Sequence, residues 1–210
     1  MASRLKELFA DRALVAKIQR RLPILFSYAE QESSRGGHVG VEAETVRVQV
    51  LVALLIHKFG EENVQRDPGR VAGETNVRLF DAPISIKTTT SAALGSVKLL
   101  WTADTRKANE AAQTYSPSSD YLLGQVNWGG EGGLFYIPLE AQDDVLRAMG
   151  RENYLRLPKA GMQPRGVELS REALTALVAK KAARRLLIRW ERPAKDDPYQ
   201  RWVDYWRQEA

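Results

Sequence analysis

The amino-acid sequence predicts a mixed α/β domain, in which a central mixed β-sheet of about five strands has helices on both sides. Segments with apolar residues at helical spacing alternate with short β-branched runs, and glycine, proline and asparagine lie between them. The chain has 210 residues, of which 44% are hydrophobic, so it can bury one core of ordinary size. We therefore expect a single domain that spans residues 1–210.

The N-terminal part of the chain is predicted to be helical. Residues 3–21 have apolar side chains near helical spacing and Ser3 as a candidate cap, and a second short helix is expected over 23–32. The composition of residues 33–40 (SSRGGHVG) predicts a loop. Residues 41–59 are apolar on most sides and precede Gly60, which predicts a buried helix, although the β-branched residues leave a strand open at its start.

Strands are predicted from the β-branched runs that follow. The residues FDAP at 80–83 turn between two of these runs and predict a hairpin, and a second hairpin crosses the GGEGG sequence. Ser170 is a candidate cap for a late helix. The predicted strands are 63–66, 75–80, 84–88, 97–103, 121–128, 134–139 and 186–192, and the predicted helices are 105–114, 139–150, 170–185 and 198–208.

The composition excludes several kinds of site. The sequence has no cysteine, which rules out disulfides, thiolate catalysis and cysteine-based zinc sites, and its only histidines are His38 and His57. A divalent ion would need oxygen ligands, which favours Mg²⁺, Ca²⁺ or Mn²⁺. No apolar run reaches the roughly 18–20 residues of a membrane span, and the N-terminus has no apolar signal core. We therefore expect a cytoplasmic protein with no membrane partner.

Positive charge is concentrated in the last part of the chain. Residues 151–210 contain 14 Lys and Arg against 8 Asp and Glu, which leaves 17 against 18 in the first 150 residues. Such an imbalance fits a polyanionic partner such as nucleic acid. A solvated basic face is the alternative, and the charge by itself favours that alternative.

The stretch PISIKTTTS at 83–91 is the strongest candidate for chemistry. Alternate residues of a strand share a face, so Ser85 and Lys87 point the same way, and Asn76 can join them across the predicted hairpin. Upstream, Glu44 lies four residues before Val48 on an apolar stripe of the helix 41–59. A carboxylate at such a position needs a partner, a metal or water.

This arrangement resembles the PD-(D/E)xK nucleases and, among them, the type II restriction endonucleases. In that family a helix carries an acid, a strand carries a second acid, and a further strand ends in an acid, any residue and a lysine. Here Glu44 corresponds to the helix acid, Asn76 in GETNVRL to the strand acid, and SIK at 85–87 to the last motif. The resemblance covers roughly residues 40–140.

The resemblance implies a restriction-endonuclease-like fold and a Mg²⁺-dependent, sequence-specific endonuclease that acts on double-stranded DNA as a homodimer. The implied catalytic residues are Lys87, Asn76, Glu44 and Ser85, and the implied metal ligands are Asn76, Glu44 and Glu74. Lys87 would lie beside the attacking water and the scissile phosphate. The parts of the domain would be the N-terminal helices and loop (1–40), the catalytic core (41–140) and a basic C-terminal part (141–210).

Two positions depart from the family pattern, because Ser85 stands where an acid is usual and Asn76 stands where aspartate is nearly obligatory. Three hypotheses follow for Asn76. It is a natural ligand that acts with Glu44 and Glu74, or the chain binds DNA without cutting, or the chain is an engineered Asp→Asn variant. We favour the third, because ETDVRL followed by ISIKT would be an ordinary motif.

Contacts to DNA are expected from hydroxyl and basic side chains. Hydroxyls that follow Lys87 could donate to flanking phosphates, and the loops 33–40 and 156–166 carry basic residues between glycines and prolines. The candidates are Thr88, Thr89, Thr90, Ser91, Arg35, His38, Lys159 and Arg165. Ordinary surface loops are the alternative for both basic segments.

Simpler roles stay open for the proposed catalytic residues as well. Lys87 could be a strand lysine paired with Glu74 or Asp81, and Glu44 could be a carboxylate stabilised by the helix dipole. At the level of the whole protein, the alternatives are a non-catalytic DNA-binding protein on the same fold and a structure-specific repair or junction nuclease.

Overall fold

The computed structural model describes residues 4–35, 41–66, 76–100, 102, 104–157, 166–193 and 206–207, and of residues 32–35, 41–43 and 76 it describes the backbone without the side chains. The helices are α1 (Glu7–Ala10), α2 (Arg12–Arg35), α3 (Val41–Phe59), α4 (Thr105–Thr114), α5 (Leu139–Met149), α6 (Arg151–Tyr154) and α7 (Arg171–Val178). The strands are β1 (Val64–Arg66), β2 (Asn76–Leu79), β3 (Ala82–Thr90), β4 (Val97–Leu100), β5 (Asp120–Val126), β6 (Glu131–Ile137), β7 (Leu155–Arg156), β8 (Val167–Leu169) and β9 (Arg184–Arg189). Two short 3₁₀ helices, Arg4–Lys6 and Glu61–Asn63, complete the described elements.

The central sheet has six strands in the order β1-β2-β3-β5-β6-β9. Strands β3 and β5 run parallel, and the other neighbouring pairs are antiparallel. A second sheet has three strands in the order β4-β8-β7. The predicted fold class, with a central mixed sheet flanked by helices, is therefore confirmed, although the central sheet has one strand more than we expected.

Each face of the central sheet has its own hydrophobic cluster, which makes three layers. Helices α2 and α3 cover one face, while β4, β8, α5 and α7 contribute to the layer on the other face. The first cluster includes Phe26, Leu51, Ile84, Ile86 and Leu122, and the second includes Tyr121, Leu123, Phe135, Val145 and Leu174. Consecutive residues of β3 and β5 therefore point into different layers, as strand alternation requires.

The β2–β3 hairpin turns through only two residues, Phe80 and Asp81, both of which have positive φ angles (49° and 67°). This geometry is typical of type I′ turns, whose twist matches that of the flanking strands. The Phe80 ring packs edge-on against Phe59 at 6.0 Å between centroids and lies under the Arg4 guanidinium. Tertiary contacts therefore hold Phe80 at a positive φ angle, which bulky residues rarely adopt, and the turn sets the register of β2 against β3.

The N-terminal helices differ from the prediction. We expected a break before Pro23 and a loop from residue 33, but α2 continues through Pro23 to Arg35. Ile18, Leu22, Phe26 and Ala29 are all buried along one stripe of this helix. Their burial outweighs the hydrogen bond that proline removes.

The C-terminal third also corrects the prediction. The helix predicted over 170–185 ends at Val178, and Arg184 and Arg185 already belong to β9. The short strands β7 and β8 were not predicted. The predicted helix 198–208 lies almost entirely outside the described residues. Among the described helices, none combines the length and the hydropathy that crossing a membrane requires.

Candidate active site

Ser85 and Lys87 lie in the middle of β3 and point away from α2 and α3. Their neighbours Ile84 and Ile86 are buried in the cluster beneath those helices, so the intervening residues face the opposite layer. The exposed fraction is 0% for Ser85 and 3% for Lys87. A lysine buried to this extent needs a partner, and Lys87 is not left without one.

Asn76 lies directly opposite Ser85 in the antiparallel pair of β2 and β3. Residues opposite each other in a ladder share a face, so the backbone places Asn76 on the same face as Ser85 and Lys87. The predicted convergence of these three positions is therefore present in the strand register. Within the described part of the chain, the Ser85 hydroxyl is buried and has no hydrogen-bond partner.

Strand β5 provides the other wall beside Ser85 and Lys87. Its Tyr121 pairs with Ser85 and its Leu123 with Lys87 in the parallel register. The Tyr121 hydroxyl lies 2.8 Å from the hydroxyl of Tyr115. The nearby Tyr154 packs against Tyr115, and burial raises the pKa of its hydroxyl above the usual value. Tyr154 is therefore neutral in this layer.

The predicted acids do not gather beside Lys87 in the described structure. Glu44 is half-buried on α3, which covers the opposite face of the sheet, and Glu74 lies outside the described residues. Among the described residues, no group of three or more histidine, aspartate or glutamate side chains could hold a metal ion. Ser85 and Asn76 offer only neutral oxygens, whereas Mg²⁺ favours carboxylates. The described side chains therefore do not fit a Mg²⁺ ion by themselves.

The four residues of the hydroxyl run have different surroundings. Thr88 is buried on the α3 face, and its Oγ1 lies 3.4 Å from Nε of Arg47. Thr89 is half-buried on the Lys87 face, and Thr90 is exposed at the end of β3. The Ser91 hydroxyl donates to the carbonyl of Ala93 within its own loop. Thr88 is excluded by burial and Ser91 by the bond its hydroxyl already donates, so Thr89 and Thr90 remain the candidates for phosphate contacts.

The predicted basic contacts are largely outside the described structure. Arg35 is the last residue of α2, and its side chain is not described. His38, Lys159 and Arg165 lie outside the described residues.

One buried ion pair near the site was not anticipated. Nη1 of Arg47 donates to Oε1 of Glu30 at 2.9 Å, and the exposed fractions of their side chains are 9% and 16%. Arg47 lies four residues before the buried Leu51 on the apolar side of the helix 41–59, and a cation at this position was the available signal in the sequence. Its partner lies on another helix, and no local pattern identifies it.

Comparisons with known proteins give consistent results. The family model described as "Restriction endonuclease ThaI" matches residues 8–208. A solved structure described as "Restriction endonuclease in complex with substrate DNA" is 42% identical in sequence, with a TM-score of 0.87. The match covers 97% of this chain and 99% of the other. No curated protein matches the sequence.

Proposed function

The chain belongs to the ThaI family of restriction endonucleases, and we propose that it is a type II enzyme that cuts double-stranded DNA at a specific sequence. The observation that carries the proposal is the strand register, which brings Asn76, Ser85 and Lys87 to one face of the sheet. The similar solved enzyme is described in complex with substrate DNA, which supports DNA as the partner. The basic balance of residues 151–210 supports the same partner.

In the proposed reaction, the oxygen of a water molecule bonds to the phosphorus of a phosphodiester and the bond to the leaving oxygen breaks. The water loses a proton to solvent, and the leaving oxygen takes up a proton. The ammonium of Lys87 orients the water and stabilises the negative charge that develops on the phosphate. Thr89 and Thr90 donate hydrogen bonds to flanking phosphates and thereby position the duplex without reading its sequence.

Mg²⁺ dependence is part of the proposal, although the described side chains do not fit the ion by themselves. A bound Mg²⁺ would supply charge neutralisation at the phosphate and a bound water of lowered pKa. Asn76 supplies no negative charge, so we propose that the ion requires aspartate at this position together with Glu74. Glu44 lies on the helix that covers the opposite face of the sheet and is not part of this proposed ligand set. On this hypothesis the present chain is an inactivated Asp→Asn variant.

The test compares the chain with its Asn76→Asp form. Each protein is incubated with plasmid and phage DNA in the presence and absence of Mg²⁺, and the products are separated on gels. We expect discrete fragments from the Asn76→Asp form with Mg²⁺ and none from the chain as it stands. An Asn76→Asp, Lys87→Ala double variant serves as the matched control and is expected not to cut.

Two other outcomes would change the proposal. Discrete fragments from the unaltered chain would make Asn76 a natural ligand and would overturn the inactivated-variant hypothesis. Random degradation by the Asn76→Asp form would overturn sequence specificity.

A non-catalytic DNA-binding protein is the second candidate. It is favoured by the neutral pair Asn76 and Ser85 and by the lack of an acidic cluster among the described residues. Tight, sequence-specific binding by both forms without cutting by either would support this candidate and contradict the enzyme.

Homodimer formation and a cytoplasmic location belong to the same proposal. A two-fold dimer matches the symmetry of palindromic DNA, as for other symmetric DNA-binding proteins. Analytical ultracentrifugation of the chain with and without a duplex tests the dimer. The division into parts 1–40, 41–140 and 141–210 stays a prediction.

A further inference from the structure

The carboxylate of Glu30 accepts hydrogen bonds from three separate segments of the chain. Its Oε1 accepts from Arg47 at 2.9 Å and from Trp128 Nε1 at 3.1 Å, and its Oε2 accepts from Arg192 at 2.8 Å. The Arg192 guanidinium also lies 4.3 Å from the centre of a Trp128 ring. Helix α3, the turn between β5 and β6 and the segment after β9 therefore all hold this carboxylate in one orientation.

Arg47 connects Glu30 to β3 through a contact at each end of its side-chain head group. One end of its guanidinium is bound by Glu30, and its Nε lies 3.4 Å from Thr88 Oγ1. Because the guanidinium is planar and its donors form a rigid fork, the position of Glu30 determines where Nε points. A buried ion pair is often no more stabilising than a hydrophobic pair, so stability alone does not account for it.

Thr88 follows Lys87 directly, and the two side chains leave opposite faces of β3. Strand β5 pairs with the segment 86–90 within the sheet. Helix α3 packs on the face of β3 from which Thr88 projects. A side-chain anchor at Thr88 restrains this segment from the α3 side.

We propose that Glu30 and Arg47 are positioning residues, which act through Thr88 to hold the segment of β3 that carries Lys87. Their function is to fix the direction of the Lys87 side chain on the other face of the sheet. The inference rests on the proposed role of Lys87 at the scissile phosphate. It adds to that role two residues that touch neither DNA nor the reacting atoms.

The test uses two pairs of variants in the full chain. Thr88→Val keeps the shape of the side chain but removes its hydroxyl, whereas Thr88→Ser keeps the hydroxyl. Arg47→Lys keeps the positive charge but loses the planar guanidinium that donates to Glu30 and Thr88 at the same time. The control is Lys58→Gln, which removes the ion pair between Lys58 of α3 and Asp11 (2.7 Å) at the other end of the same helix.

The first measurement does not depend on cleavage. The ¹³Cε–¹Hε signal of Lys87 is followed by NMR in lysine-labelled protein and assigned by its loss in Lys87→Arg. We expect this signal to shift in Thr88→Val and Arg47→Lys and to stay unchanged in Thr88→Ser and Lys58→Gln. An unchanged signal in both Thr88→Val and Arg47→Lys would overturn the inference, whether or not any form of the chain cuts DNA.

The second measurement uses the Asn76→Asp form, which is the form expected to cut DNA. We expect Thr88→Val and Arg47→Lys to lower the single-turnover rate constant on the order of 10–100-fold, while the Kd for DNA without divalent ions changes less than about twofold. Thr88→Ser should restore the rate. A Kd that rises as much as the rate falls would contradict positioning and indicate a structural role. If no form cuts, the proposed function fails, and the Lys87 signal still decides this inference.

Discussion

Asn76 and Ser85 lie directly opposite each other across the antiparallel strands β2 and β3, and neither carries a charge. Lys87 lies two residues further along the same face of β3, so the cation has two neutral residues beside it in the strand ladder. In the nuclease pattern that the sequence resembles, these two positions carry acids. The strand register therefore matches the nuclease pattern, whereas the charges at these two positions do not.

Replacing Lys87 tests whether this face performs the chemistry. In the form of the chain that cuts, we expect Lys87→Ala to lower the cleavage rate constant by at least about 10²-fold, because it removes the cation that stabilises charge on the phosphate. Filter binding with uncut DNA should show specific binding retained. Because alanine leaves a cavity, Lys87→Met provides a second variant of similar volume. Near-normal cutting by either variant would place the active site elsewhere.

A lysine far from β3 provides the matched control for that experiment. Lys17 lies on α2, and its Nζ is 3.0 Å from Nε2 of His57. We expect Lys17→Ala to cut at the rate of its parent, since this contact is on the surface of the helical layer.

The Ser85 hydroxyl provides a prediction about stability. In the described part of the chain this buried oxygen has no hydrogen-bond partner, and burying such a group without a bond costs free energy. We expect Ser85→Ala to leave the free energy of unfolding unchanged or to raise it by up to about 1 kcal/mol. Urea denaturation followed by fluorescence measures the change. A loss of more than about 1 kcal/mol would mean that the hydroxyl makes a bond in the folded protein.

The turn between β2 and β3 provides a prediction about register. Asp81 has a φ angle of 67°, a conformation that glycine adopts freely and β-branched residues avoid. We expect Asp81→Val to lower the free energy of unfolding by about 1–2 kcal/mol, whereas Asp81→Gly should remain close to the parent. Thermal melting of the two variants compares them directly, and equal melting temperatures would contradict the left-handed turn.

The ion pair between Asp11 and Lys58 predicts a pH dependence. The Asp11 carboxylate accepts hydrogen bonds from Lys58 Nζ and from the backbone N–H of Leu14. These bonds, that from Lys58 above all, hold the pKa of the Asp11 carboxyl below its usual range. A carboxyl whose pKa is lowered by folding stabilises the protein above its unfolded pKa of about 3.9 and loses this contribution as the pH falls through the folded value. Lys58→Gln should therefore melt below the parent at pH 7, and the difference should narrow below about pH 4. If the difference in melting temperature between Lys58→Gln and the parent stays constant down to the lowest pH at which the protein folds, this ion pair is not its cause.

Local sequence patterns predict the elements that carry the candidate site. The apolar run of residues 41–59 is α3, and the turn at 80–83 is the β2–β3 hairpin, although its turn residues are only Phe80 and Asp81. Alternation along β3 is enough by itself to place Ser85 and Lys87 on one face. These features depend on neighbours in sequence, and a single sequence contains that information.

Features that depend on distant contacts were not predictable in this way. Pro23 reads as a break, but burial of Leu22 and Phe26 on either side of it keeps α2 continuous. Strands β7 and β8 have two and three residues, which are too few to show a period. The pair Glu30 and Arg47 joins two helices, and nothing near either residue specifies the other.

The parallel pairing of β3 with β5 has a consequence for the order in which the protein folds. The β2–β3 and β5–β6 hairpins each close a short loop, whereas the β3–β5 pairing must close the connection 91–119, which contains β4 and α4. Closing a longer loop costs more chain entropy, and non-local pairing is slow to form. The two hairpins can therefore form early, and β3 of one can pair with β5 of the other in a later step. Docking of the two hairpins is what pairs Lys87 with Leu123, so the face that carries the proposed site lies at the junction between them.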